Sequence, residues 1–297
     1  MNGTEQVEYE TRVRVRYGVI AVAAGLLLVV QALIQLSGPH TNVDELTLDL
    51  LTAHRRFPLD LIGAIVDAIA LGALAVTLNW LHSIARARNP QNRDFIRWLA
   101  IVGAGLSGVM AVAYAIVIAI KANQFATTGN QTYVEADRLT TGGLIVILPL
   151  LAQLGSLLLT GGFIWISLNA MRVGLLSRFM GYVGVFAGVL VLFPIGSPVP
   201  VVQGFWLVSV GMIFIGRWFQ GIPPAWASGT AVPWPPMGQP RQSTAVAGAP
   251  GRGARGRRAP EPATATVGPP AAVADSDGAT GGRTRASTPK RKRKRRT

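Results

Sequence analysis

Six apolar stretches constrain the fold of this chain more than any other feature. A bilayer core about 30 Å thick needs roughly 20 apolar residues of helix to cross it. The stretches that reach this length cover residues 17–37, 58–81, 96–120, 142–170, 175–196 and 199–218. We therefore predict an all-α fold, a polytopic membrane helix bundle of about six transmembrane helices.

The composition favours lipid as the solvent of these helices. The chain has 297 residues, of which 50% are hydrophobic and only 14% are charged, whereas soluble domains carry roughly 25% charged residues. Cysteine is absent, which excludes disulfides, thiolate metal sites and a cysteine nucleophile. The first stretch follows three arginines but is longer than a signal peptide core and lacks a cleavage site, so we interpret it as an uncleaved anchor.

Three regions follow from this pattern: a cytoplasmic N-terminal segment of residues 1–16, a transmembrane domain of residues 17–220, and a tail of residues 221–297. The tail is rich in Pro, Ala, Gly and Arg, so we predict that it is disordered, with Trp226 and Trp234 resting on the membrane surface. A proline-rich link joins the last two stretches. It leaves open a second interpretation, in which they form one re-entrant hairpin.

The distribution of Lys and Arg predicts the orientation, because short cytoplasmic loops carry the excess. Basic residues collect around residues 12–16, 86–97 and 172–178 and in the tail, whereas the opposite loops are diluted by acidic residues. Both termini should therefore be cytoplasmic. The bias towards 24 Arg over 4 Lys suggests a bacterial plasma membrane. Four tryptophans fall near the predicted inner interface: Trp80, Trp98, Trp165 and Trp218.

Small residues recur every four positions within the stretches, a pattern that allows helix backbones to approach closely in lipid. The stripes are Ala64, Ala68 and Gly72; Gly103, Ser107 and Ala111; Ala152, Ser156 and Thr160; and Gly184 with Gly188. We predict that they pack the bundle internally. The alternative is a face for a second copy of the chain or another membrane protein.

Two carboxylates within the second stretch are the candidate functional residues, since ionisable groups inside a span are costly and mark function by default. Asp60 and Asp67 are seven residues apart on one helix face, with Asp67 near the membrane midplane. A polar cluster opening outward would add Gln31, Gln35, Tyr114, Gln153 and Gln203. Such groups either hydrogen-bond between helices or line a cavity for a ligand or proton.

No recognised catalytic, cofactor-binding or metal-ligating set is present. The histidines are His40, His54 and His82, all in loops or at the ends of stretches, so no span offers paired imidazoles for haem or zinc. His40, Asp44, Asp49 and His54 have metal-ligand chemistry but no recognised spacing. We therefore expect neither a cofactor nor an enzymatic activity.

A run of seven basic residues lies at the end of the tail. It comprises Lys290, Arg291, Lys292, Arg293, Lys294, Arg295 and Arg296. Each such charge contributes roughly 1 kcal/mol near an anionic leaflet, so we predict that the run binds anionic lipid head groups. No aromatic residue follows Trp234, and without base stacking we do not expect sequence-specific nucleic-acid binding.

Several short motifs carry a family resemblance. They are the link of residues 169–184 with its Gly-Leu-Leu-x-Arg pattern, Gly204-Phe205-Trp206-Leu207, Gly216-Arg217-Trp218 and Pro223-Pro224-Ala225-Trp226. With them the chain resembles uncharacterised actinobacterial six-span integral membrane proteins over residues 17–236. The resemblance implies a fold but no activity. We predict a membrane anchor or scaffold; the alternative is a small transporter or proton-linked permease that uses Asp67.

Overall fold

A computed structural model describes residues 3–37, 45–192, 200–219, 221 and 223–232. The chain divides into two units, residues 1–241 and residues 242–297, and every described residue belongs to the first. Within the described part the regular structure is all helical, which confirms the all-α prediction. The helices are α1 Gly3–Leu36, α2 Leu46–Arg56, α3 Leu59–Arg88, α4 Phe95–Thr127, α5 Tyr133–Thr140, α6 Leu144–Arg172, α7 Arg178–Leu192, α8 Val201–Ile215 and α9 Pro224–Ser228.

Four of these helices, α1, α3, α4 and α6, are long and apolar enough to cross a membrane. Helices α7 and α8 have 15 residues each, or about 22 Å at 1.5 Å per residue, which is shorter than the hydrocarbon core. Residues 193–199 between them lie outside the described part. The count of six spans is thus supported for four helices and stays a prediction for the last two.

Large apolar side chains cover the outer surface of the bundle. Examples are Leu33, Val109, Ile120 and Leu150, which are 60%, 61%, 61% and 65% exposed. Water-soluble proteins rarely expose contiguous apolar surface on this scale. Together with the four long apolar helices, this surface shows an integral membrane protein with several spanning helices.

The six apolar helices form a closed ring in which each helix packs against its neighbours in sequence, and α8 returns to α1. Their alternating directions gather one set of ends at a surface that we call the arginine end. There α3 ends at Arg88, α4 begins at Phe95 and α6 ends at Arg172. The short helices α2 and α5 lie at the opposite end, where Leu50 and Phe125 form a separate small core.

Helix α1 extends well beyond the predicted first span. Its 34 residues measure about 51 Å, whereas the hydrocarbon core is roughly 30 Å thick. The segment of residues 1–16, predicted only as an N-terminal segment, is therefore helical from Gly3 onward. Its first turns reach past the apolar part of the bundle at the arginine end.

Small residues pack α4 against α6, as the stripe at Gly103 and Ser107 predicted. A Cβ atom on Gly103 would lie 2.7 Å from the carbonyl oxygen of Gly155 and 2.8 Å from Leu159 Cα. Ser107 and Ser156 share a hydrogen bond of 3.1 Å between their hydroxyls. No side chain larger than hydrogen fits at Gly103 without moving a backbone.

Only part of the small-residue stripe on α3 contacts a neighbouring helix. Gly108 of α4 sits against Ala68, because a Cβ on Gly108 would lie 3.1 Å from Ala68 Cα, but nothing lies within 4 Å of a Cβ on Gly72. Two glycines outside the predicted small-residue stripes pack α1 on α8. A Cβ on Gly25 would lie 2.9 Å from the Gly204 carbonyl oxygen.

Candidate functional site

Asp60, the first predicted carboxylate, lies at the corner where α2 meets α3. Arg56 Nε donates a hydrogen bond of 2.8 Å to Asp60 Oδ1, and Arg56 Nη2 donates one of 3.2 Å to the Gln35 carbonyl oxygen. The Arg56 side chain is 8% exposed and that of Asp60 is 32% exposed. This ion pair joins the ends of α1 and α2 to the start of α3, which indicates a structural role for Asp60.

Asp67 lies on the face of α3 that looks into the bundle. It shares this face with buried Gly63 and Leu74, whereas Ile65 and Ile69 on the opposite face are 43% and 55% exposed. Among the described residues, no hydrogen bond involves the Asp67 side chain. Asp67 itself is partly exposed, and its role as a ligand or proton site stays a prediction.

The other five predicted polar residues are spread over several environments. Gln203 is buried, Gln31 and Tyr114 are partly exposed, and Gln35 and Gln153 are exposed. Within the described residues, no hydrogen bond joins any two of the seven predicted side chains. The outward-opening cluster thus has no direct contacts to assemble it, and a shared cavity stays a prediction.

A buried ion pair at the arginine end joins α1 to α3. Arg88 Nη1 and Nη2 each donate a hydrogen bond of 2.7 Å to one oxygen of the Glu10 carboxylate. Arg88 Nε and Nη2 also donate to the Ala225 carbonyl oxygen at 3.1 and 2.9 Å, and Gln6 Nε2 donates to Glu10 at 2.8 Å. The Arg88 and Glu10 side chains are 0% and 2% exposed. Such a bidentate, fully hydrogen-bonded pair is among the strongest polar contacts in proteins.

Trp226 on α9 closes the same end of the bundle. Its Nε1 donates a hydrogen bond of 3.1 Å to the Leu175 carbonyl oxygen. Its ring centroid lies 5.7 Å from that of Trp80 and 5.6 Å from that of Phe214. Trp80 in turn stacks on Tyr17 at 4.5 Å with an interplanar angle of 9°. The cluster joins α1, α3, α8 and α9 around one indole.

The turn between α6 and α7 contacts the residues that follow α9. Gly174 has φ of +82°, a conformation that suits glycine because a Cβ is disfavoured there. Val232 N donates a hydrogen bond of 3.3 Å to the Val173 carbonyl oxygen. Residues 223–232 are thus fixed to the bundle by side-chain and backbone contacts.

Two predictions about this region are wrong. The disordered tail was expected to begin at residue 221, but residues 224–228 form a helix and Ala225 is fully buried. Trp226 was expected on the membrane surface, yet it is only 3% exposed. The reason is the Arg88 guanidinium, which supplies donors for the Ala225 carbonyl and so stabilises the fold-back. Trp234 and the basic run of residues 290–296 lie outside the described residues.

The helical period of α1 carries a signal for the inward position of Glu10. Val13, Tyr17, Ala21 and Leu28 follow the helical period on the face of α1 that contacts the bundle. Extending this period backwards reaches Glu10, since positions 10 and 28 share one direction on an ideal helix. The pairing with Arg88, 78 residues later, was not visible in either local pattern.

The predicted interfacial tryptophans have different surroundings. Trp80 is buried in the aromatic cluster, whereas Trp98 and Trp165 are each 53% exposed near the arginine end. Trp218 is partly buried. Only the half-exposed rings have the amphipathic placement expected of interfacial anchors.

Trp165 lines a cavity of about 440 Å³ at the arginine end, between the α3–α4 loop and the end of α6. Four amide side chains and two arginines line it, and its lining contains no acidic residue. Asn92 and Asn169 are 8% and 5% exposed, and the Nδ2 atom of each has no hydrogen-bond partner. The two arginines and the lack of acidic residues make the lining of the cavity electropositive, and the amides make it polar. None of the predicted site residues belongs to it.

The described residues contain no group of three His, Asp or Glu side chains that could hold a metal ion. Of the histidines, His82 is buried at the arginine end and His54 is partly exposed on α2. His40 and Asp44 lie outside the described part.

Comparisons with known proteins assign no function to the chain, so its function is inferred from this geometry. The resemblance to actinobacterial six-span proteins remains a prediction. No family model, no curated protein and no solved structure matches the chain.

Proposed function

We propose that the chain is a non-enzymatic anchor of the bacterial plasma membrane. In this proposal the helix bundle holds the start of a basic C-terminal segment at its arginine end, with both termini in the cytoplasm. The observation that carries it is the Arg88 guanidinium, which binds Glu10 and the Ala225 carbonyl at once. This contact fixes α9 at the arginine end.

In this proposal the basic run of residues 290–296 is the part of the anchor that binds a partner surface. Its seven charges would bind an anionic lipid surface, with roughly 1 kcal/mol per charge near the surface. The attraction decays over a Debye length of about 8 Å at physiological salt. A second copy of the chain or another membrane protein would be a further partner of the bundle.

Vesicle tethering tests this proposal. The full chain is reconstituted into neutral vesicles, which are then mixed with labelled vesicles that contain phosphatidylglycerol. We expect the labelled vesicles to be captured, and capture to weaken steeply as salt increases. The matched control replaces all seven basic residues with Gln and keeps the length of the tail. Equal capture of neutral vesicles, or equal capture by the control, would refute the anchor function.

A proton-linked transporter is the second candidate, because Asp67 faces the bundle interior without a hydrogen bond among the described residues. In that case Asp67→Asn should abolish proton or solute flux in proteoliposomes. Asp60→Asn is the matched control, since Asp60 is already paired with Arg56. An Asp67→Asn variant with flux equal to that of the unmodified chain would exclude this candidate.

A further inference from the structure

The cavity at the arginine end has a polar lining of four amide side chains and two arginines. Asn89 is partly exposed and Gln91 is exposed, whereas the Nδ2 atoms of Asn92 and Asn169 are buried. The amides of Asn89 and Gln91 are therefore the ones that a bound group can reach. The volume of about 440 Å³ lies within the range of roughly 300–1,000 Å³ that is usual for ligand sites.

The charge of the cavity comes from Arg93 and Arg172, which both line it. Both are exposed, and neither has an ion pair with another described residue. Two other arginines at this end are paired, Arg86 with Asp94 and Arg88 with Glu10. The two unpaired guanidiniums therefore face a site without a negative charge in its lining, which is the arrangement that binds phosphate oxygens.

Helix dipoles do not supply the attraction for an anion. Helix α4 begins at Phe95 beside the cavity, whereas α3 ends at Arg88, next to the lining residue Asn89, and α6 ends at Arg172. One positive helix end and two negative helix ends thus lie beside the cavity. The net attraction for an anion therefore depends on the two guanidiniums.

We propose that this cavity binds a phosphate group that carries a hydroxylated substituent, such as a glycerol phosphate. Arg93 and Arg172 bind the phosphate oxygens, and the more exposed amides of Asn89 and Gln91 form hydrogen bonds with the hydroxyls of the substituent. The half-exposed Trp165 ring marks the level of an interface, where basic pockets between transmembrane helices take lipid head groups. The same chemistry occurs in phosphatidylglycerol and in soluble glycerol phosphate, and the experiment separates the two sources.

The full chain is reconstituted into phosphatidylcholine nanodiscs that contain a photoreactive phosphatidylglycerol, and the cross-linked peptides are mapped. We expect cross-links within residues 89–96 and 165–172 that Arg93→Gln or Arg172→Gln reduces about tenfold, since each loses a charge-assisted hydrogen bond. Excess soluble glycerol 1-phosphate that removes these cross-links would assign the site to the soluble anion. Loss of cross-links only with unlabelled phosphatidylglycerol would assign it to the lipid.

Arg178→Gln is the matched control, because Arg178 is exposed at the start of α7 and does not line this cavity. We expect it to leave the cross-links at residues 89–96 and 165–172 within twofold of the unmodified chain. Equal loss in all three arginine variants would show diffuse attraction to a basic surface and overturn the site. Cross-links confined to the basic tail would also overturn it, while leaving the anchor proposal intact.

Discussion

Arg88 and Glu10 form a bidentate ion pair across 78 residues of sequence, with both nitrogen–oxygen distances at 2.7 Å. The pair is buried, and the Ala225 carbonyl accepts from the remaining side of the guanidinium. One side chain thus connects the first helix, the end of the second spanning helix and the segment after the last apolar helix. The contact gives the arginine end a defined structure instead of a set of loops.

Removing Arg88 should strongly destabilise the bundle. We expect Arg88→Met to lower the free energy of unfolding by about 3–5 kcal/mol, because Glu10 remains as a buried charge without its partner. Chemical unfolding in detergent measures the change. The double variant Glu10→Leu with Arg88→Met should recover much of the loss, since no unpaired charge remains.

The exposed ion pair between Arg12 and Glu8 provides the control for that measurement. Its side chains are 76% and 75% exposed, so Arg12→Met should change stability by less than about 1 kcal/mol. Equal effects of Arg88→Met and Arg12→Met would contradict the importance of burial.

Trp226 should hold residues 223–232 against the bundle. We expect Trp226→Ala to cost about 3–5 kcal/mol through lost packing and Trp226→Phe about 1–2 kcal/mol through the lost bond to the Leu175 carbonyl. Unfolding and limited proteolysis within residues 223–232 measure the two effects. Trp98→Ala, at a half-exposed ring, should leave protease resistance unchanged; cleavage of both alanine variants at the same rate would argue against docking.

Close packing of α4 on α6 should make Gly103 intolerant of any side chain. Gly103→Ala places a methyl group 2.7 Å from the Gly155 carbonyl oxygen, so we expect a loss of about 1–3 kcal/mol or more from overpacking. Gly105→Ala is the control, because nothing lies within 4 Å of its Cβ. That substitution should stabilise the helix by up to about 1 kcal/mol. Thermal unfolding of the two variants compares them, and similar melting temperatures would be inconsistent with this packing.

The proposed orientation places Val232 in the cytoplasm. A reporter enzyme that is active only in the periplasm should therefore be inactive when fused after Val232. The same reporter inserted directly after Asn130 should be active, because this loop between α4 and α5 lies at the opposite end of the bundle. The reverse pair of activities would invert the topology.

The amino-acid sequence by itself determined the long apolar helices and the solvent that suits them. Length and apolar composition are local properties, so six apolar stretches were enough to predict helices that match 59–88, 95–127 and 144–172 within a few turns. Glycine spacing likewise predicted the contact at Gly103, because close backbone approach needs small residues wherever it occurs.

Only the tertiary structure decided which polar groups meet. Asp67 and Gln153 were both predicted members of one polar cluster, yet Asp67 faces the bundle and is partly buried whereas Gln153 is exposed. The difference depends on the rotation of each helix about its axis, which its neighbours determine. The pairing of Arg88 with Glu10 and the docking of Trp226 on Leu175 likewise needed four segments, distant in sequence, to meet at one end of the bundle. Such long-range electrostatic and hydrogen-bond pairings leave no periodic trace in a single chain.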